Sequence, residues 1–142
     1  MSSSPGGERY NCLYYMPHYF LYYRPHNFIY YRLHYCPYYK PQNCLYYMPH
    51  CFLYFRPHNC IYYMPHYCPY YKPRNCLYYS PQNCLYYRPK ICLYYRPHKC
   101  LNNRPHYCLY NWPHTYIYYR PNNWLYYRPH NCLYYRSHIF IY

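Results

Sequence analysis

Hydrophobic and polar positions recur along this chain with a period of eight, from Asn11 to His138, without an insertion or deletion. The consensus octapeptide is N-C-L-Y-Y-R-P-H, and its sixteen copies are followed by a half-copy, residues 139–142. Residues 1–10 precede the array and are predicted to form a flexible leader. The repeat determines how every residue in it is interpreted, because no single Cys, His or Tyr is unique.

The eight positions are called columns 1–8 here, from the consensus Asn to the consensus His. The segment C-L-Y-Y-R has the length of a short strand, and its aromatic residues favour extended structure. The junction R-P-H-N predicts a turn, since Pro suits the second position of a turn and Asn tolerates unusual backbone angles. A helix is disfavoured because Pro in nearly every copy removes a backbone donor, at about 3 kcal/mol inside a helix.

Strict alternation along the octapeptide predicts that the even columns, with Cys, Tyr, Arg and His, share one face. The odd columns, with Asn, Leu, Tyr and Pro, then share the other. Neither face is cleanly apolar, so burial specifies the register weakly. Aliphatic residues are restricted to Leu and Ile, with no Val or Ala. The predicted fold class is a low-complexity tandem repeat, mostly irregular or disordered, with short extended segments. The alternative is an all-β repeat: a meander of short strands, or a β-solenoid with two or three octapeptides per coil.

Composition and charge point to polyanions as binding partners. The chain contains 35 Tyr, 17 Pro, 12 Cys and 11 His, and its net charge is +14 with Glu8 as the sole acidic residue. A strongly basic chain binds nucleic acid or acidic membrane surfaces without specificity. Tyr-Tyr-Arg in most copies also places aromatic faces beside a cation, as in non-specific single-strand binding. The same groups favour self-association through cation–π contacts. No specific partner is predicted.

Enzyme activity is not predicted. General acid–base catalysis needs positioned carboxylates, and Glu8 is the only one in the chain. The only glycines, Gly6 and Gly7, do not form a phosphate-binding loop. A Cys and a His recur in most copies, but a catalytic nucleophile occupies one specifically structured site. Many equivalent Cys–His pairs therefore argue against a catalytic dyad. No catalytic residue and no cofactor are therefore assigned.

Metal binding is predicted to be opportunistic rather than dedicated. Imidazole and thiolate are suitable ligands for zinc and copper, and His-x-Cys occurs six times. The octapeptide itself generates that spacing, however, and C-x-x-C is absent. The weak candidates are His58, Cys60, His66, Cys68, His106 and Cys108.

Localisation is not specified by the sequence. The first ten residues lack the apolar segment of a secretory signal, and no apolar run is long enough to span a bilayer. The default expectation is the cytoplasm or nucleus, where the cysteines remain thiols.

The origin of the array is visible in its errors. Residues 11–42 and 43–74 agree at 26 of 32 positions, which indicates duplication of a 32-residue block. Nearly all departures from the consensus are one nucleotide from a single set of codons. The leading hypothesis is therefore a non-enzymatic octapeptide-repeat protein with no assignable function, the translation of a DNA tandem repeat. The alternatives are a self-associating, cross-linkable structural protein and a non-specific nucleic-acid binder. In composition alone, the chain resembles tyrosine-rich repeat proteins of eggshells, cuticles and adhesives.

Overall fold

The structure is a computed structural model that describes residues 12–15, 22–32, 37–50, 53–123 and 125–135, with side chains from residue 23 onward. The predicted leader and the terminal half-copy lie outside these residues. Each octapeptide contributes one short strand, centred on columns 3–5. The sixteen strands are β1 Cys12–Tyr15, β2 Tyr22–Tyr23, β3 Phe28–Tyr31, β4 Pro37–Tyr39, β5 Leu45–Tyr47, β6 Leu53–Phe55, β7 Ile61–Tyr63, β8 Pro69–Tyr71, β9 Leu77–Tyr79, β10 Leu85–Tyr87, β11 Leu93–Tyr95, β12 Leu101–Asn103, β13 Leu109–Asn111, β14 His114–Tyr119, β15 Leu125–Tyr127 and β16 His130–Tyr135.

The strands stack into a β-solenoid in which two octapeptides form one coil. Odd-numbered strands form one eight-stranded parallel sheet (the odd sheet) and even-numbered strands form a second (the even sheet). Each residue pairs with the residue sixteen positions later, as Tyr46 does with Tyr62. The all-β solenoid alternative is therefore confirmed, with two octapeptides per coil. The prediction of a mostly disordered chain was wrong, because it took the scarcity of aliphatic residues to mean that no core forms.

Two corners in every octapeptide turn the chain between the sheets. Columns 6 and 1 have positive φ throughout the described coils, for example 53° at Arg56 and 57° at Asn59. Asn tolerates this left-handed region, but a β-branched residue such as Ile91, with φ 54°, is strained there. Each corner amide donates to a carbonyl in the next coil, as Arg56 does to Tyr71 (2.7 Å). The hydrogen bonds between successive coils thereby continue through the corners that connect the two sheets.

The corners also shift the phase of side-chain alternation. Columns 2 and 4 point inward as in any strand, but the left-handed residue at column 6 brings column 7, not column 6, to the interior. The second corner at column 1 then returns column 2 to the interior. Cys, the first Tyr and Pro face inward, while Leu, the second Tyr, Arg, His and Asn lie on the outside. The two faces predicted from strict alternation were therefore wrong.

Tyrosine rings fill the space between the two sheets. Within each sheet, the column 4 rings stack on one another, as Tyr46 does on Tyr62 with centroids 4.7 Å apart. Rings from opposite sheets meet edge to face, as Tyr54 does with Tyr62 at 4.9 Å. Both geometries are favourable for aromatic pairs, at about 0.5–1.5 kcal/mol beyond area burial. The core is thus a double column of interleaved tyrosines.

Cysteine thiols lie beside the tyrosine rings of this core, next to the corners. The nine described cysteine side chains are free thiols, and all but Cys132 are buried. Their thiols donate to carbonyls in the corners, as Cys76 does to Pro57 (3.6 Å) and Arg74 (3.4 Å). Burial raises the pKa of the Cys60 and Cys92 thiols well above their ordinary value. Cys60 and Cys92 accordingly remain protonated, and each donates to corner carbonyls.

The aromatic core buries hydroxyl groups at a cost. Within the described coils, the hydroxyls of Tyr62 and Tyr94 have no hydrogen-bond partner. Each such group costs about 1–3 kcal/mol of lost solvation. Burial also raises the pKa of Tyr46, Tyr62, Tyr78, Tyr86 and Tyr94 well above the usual value, since a phenolate is poorly solvated between the sheets.

One defect in the tyrosine column is repaired by a second substitution. Asn102 replaces a core tyrosine of β12, and Tyr116 replaces the cysteine two residues before Tyr118 on the adjacent strand β14. The Tyr116 ring stacks on Tyr118 (4.6 Å) and meets Tyr110 edge to face (5.4 Å). Its hydroxyl donates to the Asn102 side-chain oxygen, and the Asn102 amide donates to the Tyr110 hydroxyl. Tyr116 therefore supplies the ring that Asn102 lacks.

A double-mutant cycle tests this repair. Asn102→Tyr alone forces an extra ring into a filled core, and Tyr116→Cys alone leaves a cavity, so each variant loses about 1–4 kcal/mol of unfolding free energy. Asn102→Tyr with Tyr116→Cys restores the consensus packing and stability near that of the parent chain. Urea unfolding measures all four proteins. Additive losses in the double variant would show that the two positions do not share one space.

Alkaline pH is expected to unfold the solenoid. The unfolded chain releases phenolic protons above pH about 10, while the buried tyrosines retain theirs, so the folded state binds more protons and its stability falls with rising pH. Phenolate absorbance and circular dichroism, followed together, should show the buried tyrosines ionising only as the β signal is lost. The chain in urea is the control. Complete ionisation with an unchanged β signal would contradict the buried core.

Candidate functional site

The two sides of the solenoid differ in charge, although the octapeptide is the same. Because a coil contains two octapeptides, column 6 residues of alternate copies stack on opposite sides. One side carries a cation in every described coil. These residues, named the cation line, are Arg24, Lys40, Arg56, Lys72, Arg88, Arg104 and Arg120. The other side is mixed: Arg32, Met48, Met64, Ser80, Arg96, Trp112 and Arg128.

The cation line forms one wall of a groove that runs along the solenoid. Column 8 residues, among them Arg74 and Lys90, form the second wall, and the intervening column 7 prolines form the floor. The groove has a volume of about 610 Å³. It is referred to as the cation groove. Its lining residues are Arg24, Lys40, Pro41, Gln42, Arg56, Pro57, His58, Lys72, Pro73, Arg74, Arg88 and Lys90.

Aromatic rings contact six of the seven cations of this line at the rim. The Arg56 guanidinium lies 5.6 Å from the Phe55 ring centroid, and the Lys72 ammonium lies at the same distance from Tyr71. Equivalent contacts join Arg24 to Tyr23, Lys40 to Tyr39, Arg88 to Tyr87 and Arg120 to Tyr119. Such cation–π contacts contribute about 0.5–1 kcal/mol at exposed positions. They restrict the cations to a straight row along the even sheet.

The faces of these outer rings are already in contact with one another. Phe55 stacks between Tyr39 and Tyr71, with centroids 5.0 and 5.1 Å away and planes within 7° of parallel. A nucleobase would have to part this stack in order to lie on a ring face. The predicted stacking platform is thus occupied within the even sheet, which leaves the charge of the groove as its main binding feature.

The groove carries no neutralising carboxylate. Neighbouring coils are about 4.8 Å apart, and like charges at that spacing repel. The only acidic residue, Glu8, lies outside the described residues. The walls of the groove therefore hold a row of cations that favours bound anions.

The mixed side of the solenoid carries mostly histidines at column 8. Their rings stack across coils, with centroids 4.7 Å apart for His98 and His114 and 4.6 Å apart for His114 and His130. Partial burial, then the neighbouring His114 and Lys99, lower the pKa of His98. The lowered pKa favours the neutral form of His98, which is therefore a poorer anion ligand at neutral pH than the cations of the groove.

The candidate metal ligands are placed on different surfaces. Cys60, Cys68 and Cys108 are buried in the core. His58 lines the cation groove, and the His66 and His106 rings contact the neighbouring Tyr67 and Tyr107. Within the described ranges, no group of three or more His, Cys, Asp or Glu side chains is positioned to hold a metal ion. In these units the Cys side chain is therefore buried in the core, while the His side chain is partly exposed.

The cation groove was missed by reading the chain with a period of eight. A period of sixteen separates the uniformly cationic copies from the mixed ones, and this signal is present in the sequence.

Comparisons of the chain with protein-family models, curated proteins and solved structures gave no match. No helix in the described part of the chain is long and apolar enough to cross a membrane.

Salt should stabilise the solenoid by screening the cation line. We expect the thermal midpoint to rise by several degrees between low and high ionic strength, since exposed charges are screened over about 10 Å at 0.1 M salt. Replacing Arg56, Lys72 and Arg88 with Gln should raise the low-salt midpoint and flatten its salt dependence. Calorimetry measures both, and a salt-independent midpoint in the parent chain would contradict repulsion along the line.

Proposed function

We propose that this chain is a non-enzymatic binding protein that holds single-stranded nucleic acid along the cation groove. The observation that carries the proposal is the unbroken row of cations in successive coils on one side. The mixed side has three cations in seven coils at the same column, which makes it a natural comparison. Polyanion binding depends on how many phosphates are neutralised at once, so a continuous row binds more tightly than scattered charges.

The shape of the groove favours a single strand. Its walls are separated by one residue, column 7, and therefore lie about 7 Å apart along the backbone. One polynucleotide backbone fits between such walls, whereas a duplex meets only the rims. Five of the seven residues in the cation line are arginines, whose planar fork suits phosphate oxygens.

Binding along this groove is expected to be insensitive to base sequence. The cations contact phosphates, which carry no sequence information. The stacked outer rings present edges rather than faces, so base stacking contributes little. The affinity should consequently fall steeply with salt and differ little between pyrimidine and purine homopolymers.

Two matched triple variants test the proposal by fluorescence anisotropy with a labelled single-stranded homopolymer. The first changes Arg56, Lys72 and Arg88 to Gln and removes three successive cations of the groove. The second changes Arg32, Arg96 and Arg128 to Gln and removes the same charge from the mixed side. The first should reduce the steepness of the log affinity against log salt plot by about 2, the value for three single-strand phosphate contacts. The second should leave the slope near that of the parent.

Equal losses in the two variants would overturn the groove as the binding site. Tighter binding of a duplex of the same length, or of a sulfated polysaccharide with the same number of charges, would overturn single-stranded nucleic acid as the ligand. Circular dichroism of each variant verifies that the solenoid is intact.

A further inference from the structure

A second set of tyrosines is stacked on the outside of the solenoid. On the odd sheet, the column 5 rings of Tyr31, Tyr47, Tyr63 and Tyr79 form a continuous ladder. Centroids of successive rings are 4.8, 5.0 and 4.9 Å apart, and their planes lie within 8° of parallel. The ladder ends at Tyr95, which meets Tyr79 at 66°. Four phenols are thereby held in register, sixteen residues apart in sequence.

The even sheet carries the same column but with an interruption. Phe55 stands in line between Tyr39 and Tyr71 and stacks on both. Phenylalanine has no phenolic hydroxyl and cannot form a phenoxyl radical by losing its proton. Phe55 therefore separates two stacked phenol pairs, Tyr23 with Tyr39 and Tyr71 with Tyr87. Asn103 interrupts the even ladder again after Tyr87.

Accessibility separates these outer rings from those of the core. The outer rings on the odd sheet are partly exposed, whereas core rings such as Tyr46 and Tyr62 are 0% exposed. An outer ring has an edge in contact with solvent, so its hydroxyl proton can be released to water. A core ring has no such contact, since neighbours in both sheets enclose it.

We propose that the outer tyrosine ladder is a site of oxidative cross-linking, in which a peroxidase with hydrogen peroxide joins phenols of adjacent coils as dityrosine. Each of two phenols gives up one electron to the oxidised enzyme and one proton to water. The two radicals form a carbon–carbon bond between ring positions ortho to the oxygens, and in each ring the ortho proton then moves through water to the oxygen, which restores the phenol. In total, two tyrosines and one hydrogen peroxide give one dityrosine and two waters.

Register makes the products of this reaction specific. Radicals formed at adjacent rungs are about 5 Å apart in the same chain and couple before they meet another molecule. Each bond closes a loop of sixteen residues, which restricts the unfolded chain as a disulfide of that span does. The consequence is a covalent staple between coils that leaves the cation groove free.

The experiment is peroxidase treatment of the dilute full chain, followed by proteolysis and mass spectrometry of the linked peptides. The expected links on the odd sheet join Tyr31 to Tyr47, Tyr47 to Tyr63 and Tyr63 to Tyr79. Tyr63→Phe should remove the last two and keep the first. Phe55→Tyr should add links from residue 55 to Tyr39 and to Tyr71.

Treatment of the chain in urea is the control for register. Unfolding should abolish the sixteen-residue spacing and give links at many separations. The proposal is overturned if the folded chain forms no dityrosine, if its links join sequence neighbours such as Tyr46 and Tyr47, or if they join different chains. It is also overturned if Phe55→Tyr leaves the pattern of links unchanged while circular dichroism shows an intact solenoid.

Discussion

The whole molecule depends on two left-handed corner residues in each octapeptide, at columns 6 and 1. They turn the chain between sheets, and they also reset side-chain alternation so that column 7 joins columns 2 and 4 inside. These corners contain no glycine, so the backbone is unfavourable at most of them. Hydrogen bonds to the next coil offset that cost, as where Asn59 donates to the Arg74 carbonyl (3.1 Å). A corner is therefore stable only when another coil lies beside it, and an isolated octapeptide has no reason to fold.

The narrow coil that results explains the unusual core. Two flat columns of rings fill the interior of the sixteen-residue coil by stacking within each sheet and meeting edge to face between the sheets. The Tyr116 ring beside Asn102 shows that this core requires a ring at that level, whichever column supplies it. Columns 2, 4 and 7 depart from the consensus at eight of 48 positions, against 28 of 80 for the other columns. Substitutions are thus less frequent at the inward-facing columns, where packing constrains the side chain, than at the outward-facing ones.

Sequence reasoning could predict the period, the short strand at L-Y-Y, the turn at R-P-H-N and a solenoid of paired octapeptides as one alternative. It chose disorder because Leu and Ile alone do not make a core, and it did not weigh Tyr, Cys and Pro as core residues. The inward face was misassigned because alternation was carried through Arg56 and its equivalents as though the corner were extended. The cation groove depends on which copies stack, and this becomes visible only once the coil is known to contain sixteen residues.

The length of the duplicated block connects the DNA-level and protein-level descriptions of the array. A block of 32 residues is two whole coils, so its duplication returns each copy to the same side of the solenoid and places Lys40 in line with Lys72. An odd number of octapeptides would instead move every later cation to the opposite side. Expansion by whole coils therefore lengthens the cation line and the tyrosine ladders without mixing them. A tandem repeat that grows by two whole coils at a time extends a surface as well as a sequence. The groove therefore keeps one sign of charge along its length, although individual copies vary.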